Sequence, residues 1–202
     1  APLVVALLGV AVERFTLRPI YDRDVLLQLL LTFGLAEIIR EVVQLIWGRT
    51  GRSFSTPAWG AGRVDLILFE YPVYRLFVIF VSAIVVVSVY LYLTQTDVGL
   101  VIRASIADRQ MVNSLGIDVT DMYVLVFALG AAIAGLAGGL IGPIRNARPL
   151  LGFELIIPAF VVVVVGGLGS IRGTILAGLL IGQAVGLSGL FYPPASEVII
   201  YI

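Results

Sequence analysis

Glu37, Arg40, Glu41 and Gln44 recur three and four apart inside the apolar stretch Val25 to Trp47, so a helix there gathers them on one face. Acids and a guanidinium in that pattern could bind a charged solute, pair with one another, or face water. A charge at a bilayer centre costs about 2.5–3.5 kcal/mol on insertion scales, so in a membrane this group needs a wet cavity, an internal pair, or a place near the surface. Counted from Val25, Glu37 lies about 18 Å along the helix axis, past its midpoint. A Glu37–Arg40 pair and a position lining a pathway both fit. A second group, Gly166, Gly167, Gly169 and Ser170 within "GGLGSIRG", could offer free backbone groups to a zwitterion or simply form a tight turn.

Bond chemistry has little to work with. The chain has no Cys, no His and no Lys, which removes a Cys or His nucleophile, a His general base, haem ligation by this chain and the usual zinc sites. Apart from Glu37 and Glu41, no acids are grouped where an intramembrane enzyme would need them. No GxxxxGK[ST] nucleotide loop occurs. We therefore assign no catalytic residue, metal ligand or cofactor.

The elements that must position these residues are written in an apolar alphabet. Of 202 residues, 60% are hydrophobic and 13% charged, and mean hydropathy is +1.09, far too oily for a water-soluble domain of this size. Thirteen Arg balance thirteen acids, so net charge points to no nucleic-acid partner. Ala1 to Val12 is apolar but only about 18 Å long as a helix, too short to span, and reads as the end of a spanning helix rather than a signal peptide. Glu13 to Asp24 reads as a charged connector interrupted by Pro19. Val25 to Trp47 and Val73 to Leu93 are long enough to span, with a polar Gly-containing loop, Gly48 to Glu70, between them.

Met122 to Ile141 spans again, and Gly130, Ala131, Ala134, Gly135, Gly138, Gly139 and Gly142 give it a flat strip where another backbone can approach. Leu155 to Val165, about 16 Å long and broken early by Pro158, runs into the glycine group before Thr174 to Leu190 continues. Either 155–171 crosses thinly, or it is a broken helix with its turn buried at membrane depth. Phe191 to Glu197 reads as a loop and Val198 to Ile202 as the start of a further helix. The fold class is all-α, a polytopic transmembrane helix bundle. Arg bias does not orient it: Arg14, Arg18, Arg23, Arg103, Arg109 and Arg172 fall on one side, and Arg49, Arg52, Arg63, Arg75, Arg145 and Arg148 on the other.

"GLVIRASIADRQMVNSLGIDVTD", Gly99 to Asp121, lies between two spanning segments. From Ala104 its apolar residues Ala104, Ala107, Met111 and Leu115 recur at three or four, while Asp108, Arg109 and Asn113 take other faces. Gly116 then suits a left-handed cap, with Ile117 able to fold back on the last turn. Such a short amphipathic helix suits either docking to a partner protein or lying on the lipid interface.

"RASIADRQMVNSLGID", "FALGAAIAGLAGGLIG" and "GFELIIPAFVVVVVGGLGSIRGTILAGLLIG", in that order, resemble the membrane subunit of branched-chain amino acid ABC importers, the LivH-type permeases; "ER", Arg18-Pro19 and "TFGLAEII" add to the likeness. The resemblance extends over most of the chain. It implies the ABC importer permease fold with a cytoplasmic coupling helix, and a single permease domain over 1–202 that lacks the first helices and the C-terminal end. It also implies a bacterial inner-membrane, multi-pass location and partners: ABC ATPase subunits, a second permease subunit, an extracytoplasmic solute-binding protein and the bilayer. By position Arg103, Ala104, Asp108, Leu115, Gly116 and Ile117 match the ATPase-coupling loop, whereas Met111 and Val112 stand where a smaller Ala is common.

That placement puts Glu13 to Asp24 and Arg172 in the cytoplasm, and Gly48 to Glu70 and Pro143 to Glu154 outside. There Arg63, Arg145 and Arg148 could meet acids of the binding protein, or simply be solvated, since exposed pairs contribute only about 0–1 kcal/mol. Thr32 and Gly34 become better candidates than Glu37 for solute contact, although helix packing explains Gly34 equally well. The substrate implied is a branched-chain or other hydrophobic amino acid; urea or another small polar solute is the alternative, and an ATP-independent transporter or channel fits the docking-type loop less well.

Overall fold

The structure is a computed structural model, and it describes residues 2–21, 23–51, 54–66, 69–167 and 169–191. Arg52, and the loop and further helix expected over 192–202, lie outside the described residues. Two compact units, 1–149 and 150–202, are each taken by themselves.

In the first unit α1 (Pro2–Val12) does not end at the charged residues. It continues through a π-turn, Glu13–Leu17, and a 3-10 turn, Arg18–Ile20. The expected Pro19 break is corrected for a simple reason: Pro19 occupies the first positions of a new short turn, where its missing N–H costs nothing. α2 (Val25–Trp47) begins at Asp24, whose side chain accepts from Leu26 N at 3.2 Å. Gln28 steadies the chain before it, its amide nitrogen lying 3.1–3.2 Å from the carbonyl oxygens of Ile20, Tyr21 and Arg23.

The polar stretch after α2 is more ordered than a loop: a 3-10 turn, Ala58–Gly60, precedes an antiparallel hairpin of β1 (Arg63–Leu66) and β2 (Phe69–Pro72). α3 (Val73–Gln95), α4 (Asp97–Ala107), α5 (Arg109–Ser114) and α6 (Val119–Arg145) complete the unit. The small-residue strip of α6 receives α1, which runs antiparallel to it. A methyl added at Gly9 would stand 2.6 Å from the Ala131 side chain, and one at Gly135 2.8 Å from that of Val5, so both contacts require glycine. Gly130, Gly138, Gly139 and Gly142 meet nothing within 4 Å. Tyr74, buried at the start of α3, donates to the Leu140 carbonyl near the end of α6 at 3.0 Å.

In the second unit α7 (Leu151–Gly166) starts four residues earlier than expected and passes straight through Pro158. The Pro removes one interior N–H without ending the helix. α8 (Ile171–Phe191) returns antiparallel to α7, with Gly166 against Thr174 and Gly178 against Val162. Among the described residues three helices are long and apolar enough to cross a membrane, Val73–Gln95, Val119–Arg145 and Ile171–Ser188. α2 matches them in length at 23 residues, but carries Glu37, Arg40 and Glu41. The hydropathic windows of α3 and α6 bury nothing inside the fold, so their Leu, Val, Ile and Phe side chains belong to lipid or to neighbouring helices.

Candidate functional site

Residues 96–123 form a corner at one end of the first unit. Thr96 opens α4 by accepting from Gly99 N at 3.1 Å and donates to Tyr92 O at 2.6 Å, joining the last turn of α3 to the first of α4. Gly99 is obligatory, since any Cβ there would enter the Leu93 backbone. Arg103 closes the corner: Nε donates to Gly99 O at 3.3 Å and Nη2 to Thr94 O at 3.4 Å, so its guanidinium satisfies a carbonyl left open at the end of α3.

The single helix expected from Ala104 to Leu115 is two. Asp108 adopts φ −153° and ψ 100°, which ends α4 at Ala107, and its side chain accepts from Met111 N at 3.0 Å to start α5. An Asp that can cap a new helix competes with continuing the old one, and here the cap prevails. Ala104 therefore lies half-buried at the end of α4, a helix apart from Leu115. Gly116 takes φ +80°, the left-handed cap its position called for, and Ile117 after it is half-buried. Of the pair standing where Ala is common, Val112 packs inward at 5% exposure while Met111 points out at 65%. With Ile106 at 69% and Leu115 at 71%, Met111 leaves an apolar face uncovered at the tip of the corner.

α5 is tied down from behind. The Arg109 guanidinium carbon sits 5.3 Å from the centroid of the Tyr123 ring in α6, and that ring lies 5.2 Å from Tyr21, tilted by 58°. Tyr21 Oη donates to Glu13 Oε1 at 2.9 Å. Burial first, then the hydrogen bond to Glu13, push the Tyr21 hydroxyl up to about 12, so it stays a neutral donor. At the start of α6, Asp118 caps Thr120, and hydrogen bonds from the Thr120 side chain and backbone hold its carboxyl below the usual range.

The remaining candidates fall elsewhere. Thr32 bonds back to Leu29 O at 2.9 Å within α2, and a methyl at Gly34 would meet nothing within 4 Å. Glu37 pairs with Arg40 at 2.6 Å, and Arg40 also reaches Glu41 at 3.0 Å. In the second unit Gly167 and Gly169 take φ +89° and +88°. Gly167 N donates to Val164 O, Ser170 N to Gly167 O, and Gly173 N to Ser170 Oγ, so these donors are engaged within the turn itself. Gly166 and Gly173 lie so close that a Cβ on either would collide with the backbone on the other side of the turn.

At the opposite end of the first unit, Trp59 packs edge-on against Phe77 at 4.7 Å, and Arg63 pairs with Glu70 at 2.8 Å. A cleft of about 320 Å³ there is lined by Val43, Trp47, Phe54, Ala147, Arg148 and Pro149, among others.

The sequence matches, over residues 1–202, the family described as the permease component of the branched-chain amino acid transport system. This chain belongs to that family. Among its relatives, the high-affinity branched-chain amino acid permease protein BraD of Pseudomonas aeruginosa is 30% identical over 188 residues, which cover 90% of this chain and 61% of BraD. LivH of Escherichia coli K12 is 28% identical over 189 residues, covering 91% and 61%. A probable LivH of Methanocaldococcus jannaschii is 30% identical over 153 residues, covering 76% and 47%. The chain thus spans about three-fifths of the length of the first two relatives. No solved structure matches it.

Family membership and three bare apolar spans make this chain a membrane protein. Read as a permease, it holds functional candidates that spacing alone did not single out: Glu13, Tyr21, Tyr123 and Gln28. Their partners lie several residues away in the chain, or on another helix, so no local pattern marks them.

Proposed function

We propose that this chain is the membrane-spanning part of a permease subunit in a binding-protein-dependent ABC importer of branched-chain or other hydrophobic amino acids. The family match over the whole chain carries this reading, and the corner around Asp108 supports it. An ordered corner that is locked at Arg103, capped at Asp108 and Gly116, and apolar at Ile106, Met111 and Leu115 has the chemistry of a protein-docking knob. We assign Arg103, Ala104, Asp108, Leu115, Gly116 and Ile117 to ATPase coupling. Arg103 and Ala104 would act by fixing the corner and the others by shaping its tip.

On this reading two ATPase subunits close on ATP, move the α5 helices of two permease subunits, and tilt the spanning helices between alternate openings. The protein is multi-pass in the inner membrane with the corner in the cytoplasm. A solute-binding protein then delivers at the end that carries the hairpin. Arg63 is already paired with Glu70, which leaves it less to offer such a partner. Thr32, Gly34 and Glu37 of α2, and Gly166, Gly167, Gly169 and Ser170, are assigned to the translocation path. Glu37 enters it already paired with Arg40, which Glu41 shares, and the glycine turn by shape more than by free donors.

The test is uptake of labelled leucine by the full-length permease in proteoliposomes with its ATPase and binding protein. Uptake that requires ATP, and that collapses in Asp108→Arg and Gly116→Pro variants inserted at parental levels, is expected. Uptake without ATPase, or unaffected by either change, would return the corner to the lipid interface.

A further inference from the structure

Glu13 is wholly buried, at 0% exposure, and opens the π-turn that extends α1. Its Oε1 accepts from Tyr21, while its Oε2 is buried without a hydrogen-bond partner among the described residues. Buried polar groups are nearly always paired, and π-turns are rare and cluster at functional positions, so the two together mark a place where position outweighs local stability. From Glu13 the contacts run through the Tyr21 hydroxyl, the Tyr21 and Tyr123 rings, and the Arg109 guanidinium on the Tyr123 face. Three separate parts of the chain meet in this line: the end of α1, the start of α6 and the first residue of α5.

Each of these contacts is directional. A hydrogen bond, a tilted ring pair and a cation over a ring face all transmit orientation, whereas aliphatic contacts slide. Tyr21 is itself held from the other side by Gln28 of α2 through the Tyr21 carbonyl. Arg109 is half-buried toward this line, while Met111 and Leu115 beside it are exposed. α5 thus has one face for a partner and another fastened to the membrane helices.

We propose that Glu13, Tyr21, Tyr123 and Arg109 form a strut carrying displacement of α5 to α1 and α6, with Glu13 as the positioning residue at its inner end. The inference rests on the coupling role assigned to the corner, and it names how movement of that corner enters the membrane helices. It assigns a transport role to a carboxyl wholly buried within the first unit.

The experiment measures leucine, isoleucine and valine uptake and ATP hydrolysis side by side in the reconstituted full-length complex. Tyr21→Phe removes the donor to Glu13 but keeps the ring; Arg109→Ala removes the cation and Arg109→Lys keeps it. Glu13→Ala empties the inner end. We expect Tyr21→Phe, Glu13→Ala and Arg109→Ala to lower uptake per ATP hydrolysed by about fivefold or more, the size of a typical coupling between sites, with assembly and hydrolysis near parental values. Arg109→Lys restores the ratio, and Tyr21→Phe combined with Arg109→Ala is no worse than either alone, because one line is cut twice. Uptake and hydrolysis falling in the same proportion, or a ratio unchanged in Tyr21→Phe and Arg109→Ala, overturns the strut while leaving the coupling role in place. A parent that takes up these amino acids without ATP, or none of them, overturns the coupling role itself and the strut with it.

Discussion

Gly116 and Asp108 show how single residues set the corner. Gly116 sits at φ +80°, and a methyl added there would meet nothing within 4 Å, so space is free and only backbone strain opposes a side chain. Gly116→Ala should cost about 1–2 kcal/mol, the left-handed penalty, seen as a lower unfolding temperature in detergent. Gly138→Ala, on α6 with equal space and a helical backbone, should be neutral or stabilising. Asp108→Ala removes the cap of α5 and should cost about 1 kcal/mol, with local hydrogen exchange rising over 109–114. Tyr21 supplies a pH signature. Its value is raised from 10.0 to about 12 by burial and then by Glu13, with Tyr123 adding and Arg109 subtracting. A raised group contributes stability that is whole below its unfolded value and lost as pH climbs through the folded one. Parent stability relative to Tyr21→Phe should therefore be flat from neutral to about pH 10 and decline between about 10 and 12; tyrosinate absorbance and unfolding followed together would show it.

Among the elements, the pairing of α1 with α6 depends on two glycines, Gly9 of α1 and Gly135 of the longer strip on α6. They meet Ala131 and Val5, while Gly130 and Gly138 face open space. In the full-length protein Gly9→Val should lower the unfolding temperature in detergent and Gly130→Val should leave it unchanged, since only the first side chain enters the helix contact. Which glycines mattered was not legible in the spacing, because small residues recur along the whole strip. It follows from where α1 lies along α6. Pro158 teaches the converse. Its residue type signals a break, yet α7 runs from Leu151 to Gly166 through it, and the turn comes instead at Gly167 and Gly169, where positive φ angles are required.

For the molecule in its membrane, Arg counts tied at six against six could not orient the helices. Within the first unit the structure gathers 13–21 and 96–123 at one end, and 54–66, 69–74 and 140–149 at the other, as the Tyr21–Tyr123 and Tyr74–Leu140 contacts require. On the sidedness proposed above, a cysteine placed at Gln110 should react with an impermeant thiol reagent only from the cytoplasmic side, and one at Ser55 only from outside; labelling of both from one side would overturn it. The sequence by itself determined the solvent, the helical class, the spans of α3 and α6, and the left-handed cap at Gly116. Those depend on composition and on spacings within a few residues, which local physics reads directly. Only the tertiary structure decided that Asp108 divides the corner in two, that Val112 faces in and Met111 out, and that a buried Glu13 answers to Tyr21, Tyr123 and Arg109. The division at Asp108 is a contest between ending one helix and capping the next, while the other two depend on which distant side chain arrives to fill a cavity or a ring face, and no local spacing encodes that arrival.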